Sequence, residues 1–167
     1  MDRKRNIISL VFFLAVSSAL AQTAYDRKLD GLYKETVPLI RAQALEQKLK
    51  SQKILVLDTR SPEEFGVSHI EGAKFIDYDR LNSSTFDGLD KETTIVVYCT
   101  VGYRSERVGE KLQKEGFQEV YNLYGGVLQW ANEGRPVVNY KGVRTDSVHT
   151  YSRHWSHWLQ KGIKVYP

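Results

Sequence analysis

The chain has 167 residues, enough for one domain with a proper core. It carries 24 Lys and Arg against 20 Asp and Glu, and a single cysteine. Without residues 1–21, set apart below, 21 basic and 19 acidic side chains remain, a net charge of +2. That balance leaves no electrostatic footprint for nucleic acid or an anionic membrane. One cysteine excludes an intramolecular disulfide.

Arg3, Lys4 and Arg5 form a basic start, followed by the apolar run from Ile7 to Ala19. Ala19-Leu20-Ala21 offers the small residues of a cleavage site, so residues 1–21 read as a signal peptide. The apolar run is short of the roughly 20 residues a bilayer span needs, so no stable membrane insertion is expected after cleavage. No cysteine follows the site to take a lipid. The expected location is periplasmic or extracellular, where a free thiol is at risk.

Residues 22–36 are polar with scattered Tyr and Leu and no clear period, and read as an N-terminal arm. Val37-Pro38-Leu39-Ile40 predicts a short extended piece, with Pro38 suited to a sheet edge. Ala42 to Lys50 predicts a helix, with Ala42, Leu45 and Leu49 on one face. The apolar run Ile54-Leu55-Val56-Leu57 predicts a strand buried on both faces. Ser61-Pro62-Glu63-Glu64 is a helix start, with Ser as cap, Pro at the first position and acids in the first turn. Lys74-Phe75-Ile76 reads as a strand and 82–91 as a polar loop. A strand over 94–98, a helix over 105–115 stopped by Gly116, and a strand over 120–123 follow. Gly125-Gly126 is a turn, and 127–132 a short helix before Gly134. Strands alternating with helices at this spacing predict an α/β fold, with a central, mostly parallel sheet of about five strands and helices on both faces.

One domain fills residues 37–138, and residues 139–167 form a C-terminal tail. His149 to Trp158 holds three of the four histidines and two of the three tryptophans. Trp155, Trp158 and Leu159 sit at helical spacing, which predicts a helix packing its aromatic face on the domain. The same tail offers a surface for a protein partner. A metal site on His149, His154 and His157 lacks any fixed ligand spacing, and no metal or organic cofactor is expected.

Cys99 ends the run Thr94-Ile95-Val96-Val97-Tyr98 and precedes the Gly-containing turn 100–105. That places it at the carboxyl end of a strand, where open α/β sheets carry their chemistry. Backbone N–H groups of the turn and the following helix start would converge on its sulfur and favour the thiolate. Gly102 lets the backbone bend. Arg104 adds a fixed charge, for an anionic substrate group or for a carboxylate that holds the loop; the plainer reading pairs it with Glu106 at the surface or leaves it solvated.

Five motifs in order resemble the rhodanese (sulfurtransferase) family: Leu57-Asp58-Thr59-Arg60, Pro62-Glu63-Glu64-Phe65, His69-Ile70-Glu71-Gly72-Ala73, the loop from Cys99 to Ser105, and Gly125-Gly126 with Trp130. The resemblance covers Leu39 to Val138. It implies a rhodanese-like fold and sulfane-sulfur transfer, with Cys99 as nucleophile and persulfide carrier. The donor would be thiosulfate or a persulfide, and the acceptor cyanide or a thiol. Thr100, Val101, Gly102, Tyr103 and Arg104 would form the substrate cradle, through backbone N–H groups and the guanidinium. Asp58 and Arg60 are expected to hold neighbouring loops, and His69 to fix a turn rather than act as a base. Gly72, Gly125 and Gly126 read as backbone-conformation residues, and Trp130 as core. Glu71 stands where the family often has proline. Thr100 and Val101 are uncharged where loops suited to thiosulfate often carry basic residues, which points away from that donor.

Two rival functions follow from the same residues. Cysteine phosphatases and arsenate reductases place five residues between Cys and Arg; here four intervene, and the smaller ring suits one sulfur better than a phosphate. A non-catalytic binding or redox-sensing module is the other, since a fold does not fix a function.

Overall fold

The computed structural model describes residues 24–167. The expected signal peptide, its cleavage site and the first two residues of the arm lie outside the described residues. The chain divides at Leu32/Tyr33 into two units, of which Tyr33–Pro167 carries the sheet. In the first unit residues 24–30 are helical, a correction to the reading of an arm without a period: Tyr25 and Leu29, one turn apart, are both buried.

Five parallel strands form the sheet: β1 (Leu39–Ile40), β2 (Leu55–Asp58), β3 (Lys74–Phe75), β4 (Ile95–Tyr98) and β5 (Val120–Leu123). Their spatial order is β1-β5-β4-β2-β3. The helices are α1 (Ala42–Ser51), α2 (Pro62–Val67), α3 (Tyr103–Lys114) and α4 (Gly126–Asn132). The connections through α1 and α2 run across the sheet in one direction, and those from β3 to β4 and through α3 in the other. Right-handed crossovers then put α1 and α2 on one face and α3 on the opposite one.

Each element has a local cause. β4 is buried along its whole length, as a central parallel strand must be, and its four residues are all Ile, Val or Tyr. Ser61 caps α2: its hydroxyl accepts from the Glu64 N–H while the Glu64 carboxylate accepts from the Ser61 N–H. Gly102, at φ 98°, opens α3, two residues earlier than its polarity suggests. On the α3 face, Leu57, Ile95 and Val97 pack with Val108, Leu112 and Phe117. Each contributes about 2 kcal/mol by leaving water.

The segment 82–91 is less a loop than its polarity implies. It contains a 3₁₀ turn, Ser83–Phe86, which drives Phe86 edge-on against Phe117 in this core. The tail also departs from expectation. It forms β7 (Arg144–Thr145), paired with β6 (Val137–Val138), and β8 (Ser147–His149), paired with β9 (Ile163–Val165). Its helix, α5, spans only Arg153–Ser156. Tyr151, at φ 66°, breaks any longer helix before it starts. Trp155 and Trp158 are half-buried, and Leu159 is buried.

Candidate active site

β4 delivers Cys99 to the carboxyl edge of the sheet, where the residue is only 1% exposed. The Gly102 N–H donates to Cys99 Sγ at 3.1 Å. The four preceding and flanking carbonyls all turn away from the sulfur to other partners. Cys99 O accepts from Val127 N at 2.9 Å and Thr100 O from Leu128 N at 3.2 Å, both in the first turn of α4. Val101 O accepts from the Tyr33 hydroxyl at 2.7 Å. Gly102 O accepts from Asn122 Nδ2 at 3.0 Å, and Asn122 Oδ1 in turn accepts from the Ser105 hydroxyl at 2.7 Å. With these carbonyls held by other partners, the Gly102 N–H faces the sulfur, which is the polarity an anionic sulfur needs.

Gly126 makes this possible. A Cβ there would collide with Cys99 O and, at 2.6 Å, with Thr100 O, so only glycine lets α4 approach the loop.

Arg104 does not stand free. Its Nη1 and Nη2 donate to Glu64 at 2.9 and 2.7 Å, and Nη2 also reaches Thr100 Oγ1 at 3.1 Å. Thr100 Oγ1 donates to Glu64 Oε1 at 2.8 Å. Burial opposes ionisation of Glu64, yet the Arg104 guanidinium and the Ser61 N–H outweigh it and hold the carboxyl down at about 2. The surface partner considered for Arg104, Glu106, is instead buried and accepts from the backbone N–H groups of Lys34 and Thr36.

Asp58 and Arg60 form a fully buried pair, with Arg60 Nε 2.9 Å from Oδ1 and Nη2 2.6 Å from Oδ2. Nη2 also donates to Ser68 O, which ties the end of β2 to the chain leaving α2. His69 is tied to its own turn: its Nδ1 is 3.0 Å from Phe65 O, its ring stacks on Phe65, and its backbone pairs with Val138. Trp130 is core, with Nε1 donating to Pro136 O. Tyr103 faces outward, 42% exposed, beneath the Arg107 guanidinium.

A cleft of about 510 Å³ opens beside Arg104, lined among others by Glu63, Glu64, Asp79, His149 and Tyr151. Tyr151 stands with its ring 5.0 Å from the Arg104 guanidinium carbon. His149 accepts from the Tyr151 N–H through Nδ1 and is pushed down in pKa by burial. Among the described residues no group of three or more His, Cys, Asp or Glu is placed to hold a metal.

The rhodanese-like domain family matches residues 41–133, over half of the chain. The chain belongs to that family. Its relatives include the probable adenylyltransferase/sulfurtransferase MoeZ of Mycobacterium tuberculosis, 35% identical over 88 residues, 51% of this chain and 22% of that protein. A sulfurtransferase of Allochromatium vinosum is 31% identical over 104 residues, 62% of this chain and 96% of its own. A tRNA uridine(34) hydroxylase of Chlamydia abortus is 35% identical over 100 residues, 54% of this chain and 30% of that one. The chain thus spans under a third of MoeZ and of this hydroxylase. Among solved structures, a rhodanese-related protein from Thermoplasma volcanium superposes with TM-score 0.55 at 30% identity, covering 60% of this chain and 97% of that one.

Against the sequence reading of this rhodanese-like site, Glu64, Tyr33 and Asn122 are new participants. Glu64 reads in sequence as a capping acid, and that local role hides its grip on Arg104 and Thr100. Tyr33 sits in an arm read as having no period, and no sequence signal distinguishes it.

Proposed function

We propose that this protein transfers sulfane sulfur through a persulfide on Cys99. The observation that carries the reading is the Gly102 N–H at 3.1 Å from a buried Sγ, in a loop whose carbonyls all point elsewhere. The Cys99 thiolate attacks the outer sulfur of a persulfide donor, and the donor's S–S bond breaks. The leaving thiolate takes the electron pair, and Cys99 carries the new S–S⁻. A thiol or cyanide then attacks that outer sulfur, and the electron pair returns to Cys99 as thiolate. Both forms of Cys99 are anions, the charge moving from Sγ to the outer sulfur, so a loop that turns its carbonyls away suits both. No base is required, because the nucleophile reacts as thiolate.

The cleft favours a thiol-persulfide donor over thiosulfate. Glu64 already neutralises Arg104, and Glu63 and Asp79 add negative charge at the rim, where a dianion is repelled. The signal-peptide reading would put this reaction outside the cytoplasm. The tail, through His149 and Tyr151, would then meet any protein that delivers or collects the sulfur at the cleft.

The test is thiocyanate production from cyanide, with wild type beside Cys99→Ala and thiosulfate, mercaptopyruvate and glutathione persulfide as donors. Turnover that vanishes in Cys99→Ala, with glutathione persulfide preferred, is the expected result. A folded wild type with a free thiol and no turnover on any donor would sink the enzyme reading in favour of a binding module.

A further inference from the structure

The Val101–Gly102 peptide is a single planar unit with a partner at each end. Its N–H faces Cys99 Sγ at 3.1 Å and its C=O accepts from the Tyr33 hydroxyl at 2.7 Å. The Tyr33 oxygen in turn accepts from the Gly125 N–H at 2.9 Å. One chain of hydrogen bonds therefore runs from the Gly125 N–H through the phenol and the peptide to the sulfur. Each bond in such a chain polarises the next, so an O–H on the carbonyl makes the amide at the far end a better donor. The plane is also locked: turning the N–H off the sulfur would break the bond to Tyr33.

Tyr33 is fitted to this task by contact. A Cβ on Gly102 would lie 2.7 and 2.9 Å from carbons of the Tyr33 ring, so the ring occupies the space a side chain at 102 would need. Burial holds the phenol protonated well above its ordinary range, and it remains a donor at every working pH. Tyr33 precedes the residues 41–133 that the family shares.

We propose that Tyr33 is a positioning residue for Cys99: its hydroxyl orients and polarises the Val101–Gly102 peptide, so that the Gly102 N–H stabilises the anionic sulfur. This deepens the reading of Cys99 as the sulfur carrier. The charged and titratable groups around this chain are Arg104, which faces Cys99 and is paired with Glu64, and Glu106 and Tyr124, which face Tyr33. All of them are retained when Tyr33 loses its hydroxyl.

The experiment is the pH–rate profile of iodoacetamide alkylation on the full chain, which reports Cys99 alone because it is the only cysteine. Rates are divided by the high-pH plateau, which cancels access to the buried sulfur. Tyr33→Phe keeps the ring on Gly102 and removes the O–H. Its profile is expected at higher pH, with a relative rate near pH 6 lower by about threefold, the size expected if the released peptide turns the Gly102 N–H off the sulfur and one net hydrogen bond is lost there. Fluorotyrosine at position 33, a stronger donor of nearly the same shape, is expected to move the profile to lower pH. That second variant decides the matter if Tyr33→Phe fails to fold. Profiles that superpose on wild type, whatever the melting temperatures, would overturn the proposal and leave Tyr33 a structural clamp. Alkylation needs no sulfur donor, so this outcome is separate from failure of the sulfurtransferase assay.

Discussion

Glu64 and Arg104, forty positions apart, meet in a two-point carboxylate–guanidinium pair at 2.9 and 2.7 Å. The pair joins the cap of α2 to the first turn of α3, and Thr100 closes the triangle. The carboxylate is 2% exposed and the guanidinium 21%, so the pair is shielded on one side and wetted on the other. Arg104→Met strands a buried carboxylate and is expected to cost about 3 kcal/mol in urea unfolding. Glu64→Gln combined with Arg104→Met is expected to be less destabilised than the sum of the two single changes. Simple additivity would refute the coupling.

Acid should weaken this fold over two pH ranges. The Glu64 carboxyl titrates ordinarily at 4.5 and in the fold at about 2, so the folded chain holds fewer protons across that window. Its contribution is complete above 4.5 and is lost as pH falls toward 2. His149 is a base kept neutral by burial, with its pKa below the ordinary 6.5, so stability already declines as pH falls below 6.5. Urea midpoints measured from pH 8 downward check both. Glu64→Gln should flatten the lower range and His149→Gln the upper one. An unchanged acid limb in Glu64→Gln would count against the pair's role.

Gly126→Ala places a methyl against Cys99 O and Thr100 O at a φ of +55°. Both effects oppose the fold, by about 3 kcal/mol together. Sulfur transfer should fall further than stability does, because the displaced groups are the carbonyls next to the nucleophile. Turnover measured well below the melting temperature tests this. A variant with a lowered melting temperature and full turnover would show that the approach of α4 matters only to folding.

The sheet was legible in the sequence because its strands are short, apolar and β-branched, and the start of α2 because Ser61-Pro62-Glu63-Glu64 is a local code. Cys99 could be placed at a strand end for the same reason. The groups that aim its loop could not. Tyr33 and Asn122 act through distances spanning the chain, and a lone Tyr or Asn has no period to betray it, whereas Gly102 and Gly126 were legible as backbone-conformation residues. Phe86 was hidden by polar neighbours, although a single buried ring needs no apolar run. The spacing of Trp155 and Trp158 suggested a helix, but the left-handed backbone at Tyr151 keeps it from extending upstream and it spans only Arg153–Ser156.

The device that grips the sulfur is written in peptide groups rather than in side chains. Gly102 supplies the N–H, and the carbonyls of residues 99–102 supply the fixings. Val101 and Tyr103 thus occupy positions whose side chains take no part in holding the atom, and Tyr103 already stands out into solvent. Such a loop separates tenure of the cargo from choice of customer: exchanging the exposed side chain at 103 can retune which molecule docks while the berth for the sulfur stays as built.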